Sequence, residues 1–241
     1  MERVRVGTRD GRLGRLELVW LVVAMLVLSA LPSSGWAADV EAARAEVREG
    51  IDAVLARIEE ERDRLAENPD RLYEILVETV YDDFDFEAMA RLAVGAPWRD
   101  ASPAERERFV TEFSILIMRS YAEPLRDYRD QRVDVLEVRR GDDQGRRVVV
   151  RTVIHRPGKP SVPVNYQLRL TDGEWKVFDI VIEGVSLVIN YRKSFNSQVR
   201  SIGVDGMIER LAERNREALG EGYRERFDEL AAVVGDVAGT V

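Results

Sequence analysis

The chain of 241 residues has no cysteine and a single histidine, His155. Without thiols, disulfide frameworks, Cys-ligated zinc and Cys nucleophiles are all excluded. Any Ser-His-Asp triad or His-ligated metal must use His155. That residue ends a β-branched run beside Arg156-Pro157-Gly158, where a solvated loop-edge histidine is the ordinary occupant. Basic charge is scarce as well: 36 Lys and Arg against 44 Asp and Glu leave a net charge of −8. The sign is wrong for a nucleic-acid partner, whose phosphates call for a basic stripe. Gly203-Val204-Asp205-Gly206 is too short for a phosphate loop and interrupts a helical pattern. No G-x-S-x-G elbow occurs. The acidic run Asp82-Asp83-Phe84-Asp85-Phe86-Glu87 lacks the turn glycine and distal glutamate of a calcium loop. Capping of a helix N-terminus by Asp85 explains it more simply. The sequence therefore points to no catalytic residue, no metal and no cofactor.

What is present begins with a leader. Arg3, Arg5, Arg9, Arg12 and Arg15 precede the apolar stretch Leu18–Leu31, and Pro32-Ser33-Ser34 breaks it. Gly35 and Ala37 then put small residues at −3 and −1 of a cleavage site before Ala38. The apolar run is shorter than the ~20 residues that span a bilayer, so residues 1–37 read as a secretory signal peptide, with an uncleaved anchor as the alternative. A lipoprotein is excluded because there is no cysteine to lipidate. Removing five arginines and three acidic residues with the leader takes the net charge from −8 to −10.

Residues 38–220 divide into a helical half and a strand-rich half. Asp39–Glu67 spaces Val40, Val47, Ile51, Val54, Ile58 and Leu65 for one helical face. After Asn68-Pro69-Asp70, a second stripe carries Leu72, Ile75, Leu76, Thr79 and Val80. A short helix capped by Asp85 comes next. Ser102-Pro103-Ala104-Glu105 is a capping box, and the helix it opens carries Phe109, Phe113, Leu116, Ile117 and Tyr121. Beyond Tyr128 the pattern turns to strands. Arg132–Arg140 and Arg146–Arg156 flank a hairpin signal at residues 141–145. Val164, Tyr166, Leu168 and Leu170 alternate with polar residues, and Asp172-Gly173 turns the chain into Glu174–Glu183. A last helix is expected from Gly184, with Val185, Val188, Tyr191, Phe195, Val199 and Ile202 on one face and breaks at Gly203 and Gly206. Past Gly220 the pattern weakens, and residues 221–241 are expected to be a partly disordered tail. The layout is α+β: a four-stranded antiparallel sheet covered by helices.

Two segments carry a specific resemblance. Phe84-Asp85-Phe86-Glu87-Ala88-Met89-Ala90-Arg91-Leu92-Ala93-Val94-Gly95 runs on through Trp98-Arg99 to Phe109, and Ile182-Glu183-Gly184-Val185-Ser186-Leu187-Val188-Ile189-Asn190-Tyr191-Arg192 comes later in the same order. Both resemble the MlaC family, also called the toluene-tolerance family, over about residues 40–215. Lys193-Ser194 departs from the family's usual small residue followed by Gln or Glu. The resemblance implies an NTF2-like fold with an apolar cavity between sheet and helices. It also implies a periplasmic phospholipid shuttle between an inner-membrane ABC transporter complex with a lipid-binding subunit and an outer-membrane lipoprotein complex. It leaves hopanoid cargo open, as the residues leave open a small-ligand-binding protein or enzyme of NTF2-like type, or a docking adaptor with a filled core.

By strand and helix phase, the expected lipid-contacting residues are Ile117 and Tyr121 from the long helix, and Val164, Tyr166 and Leu168 from the third strand. Phe178 and Ile180 from the fourth strand and Val188, Tyr191 and Phe195 from the last helix complete the set. The headgroup is expected to stay in solvent. Arg192 reads either as a rim contact or as a structural ion pair.

Overall fold

The computed structural model describes residues 34–125, 132–141 and 145–238. Chain contacts divide the molecule into Met1–Asp39 and Val40–Val241, and the sheet and nearly all of the described helical residues belong to the second unit. The expected leader falls on residues that, up to residue 33, lie outside those described. No helix among the described residues is long and apolar enough to cross a membrane.

Helix α1 (Ser34–Glu60) is followed directly by a short α2 (Arg62–Glu67), where one continuous helix was expected. The break falls at Glu61, with φ −100° and ψ 18°. Its buried carboxylate accepts Nε of Arg71 at 2.8 Å and a guanidinium nitrogen of Arg57 at 2.7 Å. These donors, Arg71 foremost, hold its pKa below the usual carboxylate range. Helix α3 (Arg71–Val80) buries Leu72, Tyr73, Ile75, Leu76 and Val77. Helix α4 (Phe86–Val94) starts as the sequence requires: the Asp85 carboxylate accepts from the Ala88 N–H at 2.9 Å. A 3₁₀ turn at Ala96–Arg99 leads to α5 (Pro103–Leu125). Here the capping box closes from both sides: Ser102 N–H donates to Glu105 at 2.7 Å and Glu105 N–H to Ser102 Oγ at 3.3 Å.

The sheet is an antiparallel meander in the order β1-β2-β3-β4-β5, with β1 Arg132–Arg140, β2 Arg147–His155, β3 Val162–Thr171, β4 Glu174–Ile182 and β5 Val185–Ser186. The fifth strand was not expected. It forms because Glu183 and Gly184 both take positive φ, 51° and 85°, the two-residue turn that folds a chain back on itself. Val185 and Ser186 then pair with Ile182 and Val181. Helix α6 (Leu187–Leu219) accordingly starts three residues later than Gly184, with the Ser186 hydroxyl accepting from Ile189 N–H at 3.1 Å. Of the two expected breaks only Gly203 is real. Its φ of 75° kinks α6, while the helix runs unbroken through Gly206.

The weak pattern after Gly220 still forms a helix, α7 (Tyr223–Ala238), because Tyr223 and Phe227 are buried against the helical core. A buried carboxylate fixes it there. Glu112 on α5, wholly inaccessible, accepts from the Tyr223 hydroxyl at 3.0 Å, Asn215 Nδ2 at 2.7 Å and the Arg224 guanidinium. The segment before α4 also joins the sheet edge. Val177 N–H donates to Asp83 O and Asp85 N–H to Val177 O, both at 2.8 Å, a parallel bridge that leaves α4 beside β4.

Candidate functional site

The register of the meander assembles one apolar sheet face. Val148, Val150 and Thr152 on β2 stand opposite Leu168, Tyr166 and Val164 on β3, which in turn face Val177, Ile180 and Ile182 on β4. Side chains alternate across a strand, so these residues share a face. Val148, Val150, Thr152, Val164, Leu168 and Ile180 are all buried. The opposite face carries Arg151, Asn165, Gln167 and Arg169, all half-buried.

A second apolar body is built by the helices. Phe109 and Phe113 stack at 5.5 Å on α5, and Phe195 of α6 meets Phe109 edge-on at 5.3 Å. Met89, Ile117, Val188, Met207 and Ile208 belong to the same contiguous cluster. Val148, Val150, Val164, Leu168 and Ile180 lie outside it. The sheet's contribution to it is Phe178, placed there by a bulge. Gln167 pairs with Asp179 and Leu168 with Val177, so Phe178 is the extra residue of β4. Its ring packs in the helical core under the Arg147 guanidinium, 5.5 Å from the ring centre. Simple alternation had placed Phe178 on the same face as Ile180.

The ten expected residues therefore fall into three groups. Ile117, Phe178, Val188 and Phe195 belong to the packed helical core, Val164, Leu168 and Ile180 to the sealed sheet face. The remaining three are tyrosines: Tyr121 on α5 and Tyr191 on α6 pack against the helical core, and Tyr166 stands on β3 opposite Val150 and Ile180. Burial raises the Tyr121 hydroxyl above its ordinary range, with Tyr166, Tyr191 and Asp179 adding to the rise. Tyr191 stacks on Phe195 at 5.6 Å and meets Phe113 edge-on at 5.8 Å. Burial pushes the Tyr166 hydroxyl up to about 12, yet the residue keeps accessible surface. Depth combined with accessible surface is what a side chain lining internal space has. The Tyr121 hydroxyl is buried without a hydrogen-bond partner. Asp179 is raised by burial but satisfied: Ser186 Oγ donates at 2.6 Å, Gln167 Nε2 at 3.1 Å and Val188 N–H at 3.2 Å.

Arg192, expected as either a rim contact or a structural ion pair, forms no ion pair among the described residues. Its guanidinium donates twice to the Leu92 carbonyl, at 2.9 and 2.6 Å, and Asn196 donates to the Val94 carbonyl at 2.9 Å. Both residues satisfy the open end of α4 and so fasten α6 to it. No sequence pattern announces such a contact between residues a hundred positions apart.

The polar features offer less. His155 lies between Asp134, 2.9 Å from Nε2, and Ser161, 3.1 Å from Nδ1. The order suggests a triad, but Ser161 is exposed, the His155 and Asp134 side chains are 40% and 37% accessible, and Asp134 also holds Arg132 at 2.9 Å. An oxyanion needs donors in a water-excluded setting, and this chain of contacts ties strand ends together in the open. A cleft of about 430 Å³ is lined by Arg57, Glu60, Glu61, Asp63, Arg64 and Arg71, a wholly charged wall unsuited to hydrocarbon. The described residues contain no group of three or more His, Asp or Glu side chains able to hold a metal.

Fold and site together define an α+β protein that sets an apolar-faced antiparallel meander beside a packed helical layer. Residues 48–213 match the family described as MlaC protein, and the chain belongs to that family. The intermembrane phospholipid transport system binding protein MlaC of Haemophilus influenzae is 23% identical over 195 residues, 80% of this chain and 91% of that protein. Toluene tolerance protein ttg2D of Pseudomonas putida is 24% identical over 153 residues, 63% of this chain and 70% of its own length. Among solved structures, a phospholipid-binding protein of Ralstonia solanacearum in complex with a phospholipid is 30% identical. It superposes with a TM-score of 0.66 over 73% of this chain and 97% of that one. The α+β, MlaC-type fold is thus the one expected, with five strands where four were read.

Proposed function

We propose that this protein is a periplasmic carrier that receives the acyl chains of a phospholipid between its sheet face and its helices and moves the lipid between membranes. The observation that carries the reading is the shared fold with a Ralstonia relative, 30% identical, that is solved in complex with a phospholipid. Val148, Val150, Val164, Leu168 and Ile180 are withdrawn from water without joining the helical core. The phospholipid held by the Ralstonia relative and the transport system named for the Haemophilus relative support the same reading. Two acyl chains hold about 30 methylenes, and at ~0.8 kcal/mol each their exposure to water costs on the order of 24 kcal/mol. A carrier must therefore keep them dry. Side chains such as Val, Leu and Ile replace bilayer hydrocarbon at little net cost, which permits release as readily as uptake.

The leader at residues 1–37 would deliver the chain to the periplasm. The partners are then an inner-membrane ABC transporter complex with a lipid-binding subunit and an outer-membrane lipoprotein complex. The protein acts as a carrier and not as an enzyme, a reading supported by the open setting of His155. Native mass spectrometry of protein purified from cells, with lipid extraction of the same sample, tests it. A stoichiometric phospholipid adduct is expected. Protein that is empty and also takes no lipid from labelled vesicles overturns the carrier reading, and a bound hopanoid replaces the cargo.

A further inference from the structure

Charge is spread unevenly along the chain. Residues 132–204, the sheet and the first half of α6, hold 13 basic and 8 acidic side chains, a net of +5. Residues 38–131 and 205–241 together hold 18 basic and 33 acidic ones, a net of −15. Between Glu183 and Asp205 there is no acidic residue at all, while Arg192, Lys193 and Arg200 fall there. The same stretch holds the large apolar side chains that stand exposed among the described residues: Val185 at 60%, Ile189 at 45% and Ile202 at 39%. One exposed aliphatic is ordinary on a protein surface. Their concentration where carboxylates are missing is not.

Pairing between strands explains how Val185 comes to protrude. Thr152, Val164, Ile182 and Val185 stand in one row across β2, β3, β4 and β5. Thr152 and Val164 are buried, Ile182 is half-buried and Val185 is open, so the apolar sheet face reaches the surface at β5. Ile189 follows in the first turn of α6, and Lys193 and Arg200, both exposed, continue along its line of the helix before the kink at Gly203. Neither cation forms an ion pair among the described residues. Glu183, exposed in the turn before Val185, is the acidic group nearest in sequence. Ile202 falls on the other side of the helix and takes no part.

Protruding aliphatics beside cations suit the surface of an anionic bilayer, where the aliphatics enter the headgroup boundary and the cations meet lipid phosphates. A protein partner is favoured less, because such interfaces are anchored by exposed aromatics. The aromatics of this stretch, Tyr191 and Phe195, turn inward to the helical core. Resting on the carrier reading above, we propose that Val185, Ile189, Lys193 and Arg200 form the face by which the protein docks on an anionic lipid surface, where a carrier collects or delivers its cargo. The acidic remainder of the chain is repelled by such a surface, which disfavours approach by any other face.

Co-sedimentation tests this with vesicles of pure phosphatidylcholine and vesicles carrying about one-third phosphatidylglycerol. The wild type is expected to bind the anionic vesicles about tenfold more tightly at low salt, and the preference should fade as salt is raised. Lys193→Glu should weaken anionic binding about fivefold or more. Arg214→Glu makes the same change in charge at an exposed position beyond the kink, and should weaken it less than twofold. Ile189→Ser should weaken binding about threefold while the preference for anionic lipid persists. Equal losses in K193E and R214E would mean that overall charge governs binding, and would overturn the docking face. An unchanged affinity in I189S would overturn the apolar contact. A wild type that carries lipid from cells yet binds neither vesicle overturns the docking face, leaves the carrier reading standing and turns the same residues toward an acidic protein. Vesicle binding by a protein that is empty and takes up no lipid removes the carrier reading and leaves the docking face.

Discussion

The helical core and the sheet face are built from the same kinds of side chain and differ in what those side chains touch. Phe109, Phe113 and Phe195 meet ring to ring, and Met89, Met207 and Ile208 fill the space around them. Val150, Val164, Leu168 and Ile180 are equally dry, yet they stand apart from that cluster. One region is stabilised by close contact between side chains. The other is shaped by register and bulges, and is buried apart from those rings.

Substitutions sharpen the contrast, beginning with the largest effect. Phe113→Ala removes a wholly buried ring that touches Phe109, Tyr191 and Phe195, and should cost about 3–5 kcal/mol in urea unfolding. A cost near 1 kcal/mol would mean that the helical layer is looser than its ring contacts imply. Glu112→Ala should cost about 2–3 kcal/mol, because Tyr223 and Asn215 lose their buried acceptor. Hydrogen exchange should then speed up along α7 before it does in the sheet. Exchange that rises uniformly would mean that α7 is not separately anchored by this carboxylate.

Asp83 tests the seam between the sheet edge and α1. Burial pushes its carboxyl up to about 7, with Glu46 of α1 adding to the rise and Lys176 of β4 opposing it. The folded value lies above the unfolded one, so the folded state holds more protons between about pH 4 and 7 and stability falls as pH rises through that window. Asp83→Asn should therefore flatten the profile and stabilise the protein by about 1 kcal/mol at pH 8, after discounting for solvent screening. An unchanged slope between pH 5 and 8 would show that the carboxyl ionises without penalty. The smallest stability effect belongs to the sheet face. Val164→Phe should cost less than about 1 kcal/mol, whereas overpacking a filled core costs about 1–3. Its mark should instead be a lower amount of lipid bound after purification. If V164F destabilises like an overpacked core and leaves the lipid load intact, the two regions are alike.

Much of the fold was legible where the signal is local. The Ser102–Glu105 capping box, the Asp85 cap and the Asp172-Gly173 turn each depend on residues within three or four positions, and each formed as read. The candidate site was legible only in part. Alternation along β3 correctly put Val164, Tyr166 and Leu168 on one face. The same rule failed at Phe178, because a bulge is decided by how two strands meet. Glu183-Gly184 escaped notice as a turn because the residues after it read as helix.

The sequence by itself determined the α+β class, the family, the capped starts of α4 and α5 and the set of apolar residues available to a core or a cavity, because these follow from periodicity, capping chemistry and local motifs. Tertiary structure decided which of those residues are core and which line the sheet face, because that depends on register and contact between distant elements. It also decided that Arg192 caps α4, that Glu112 anchors α7 and that Tyr121 is left with an unpaired hydroxyl. Each of these follows from what a folded neighbour, far away in the chain, supplies or withholds.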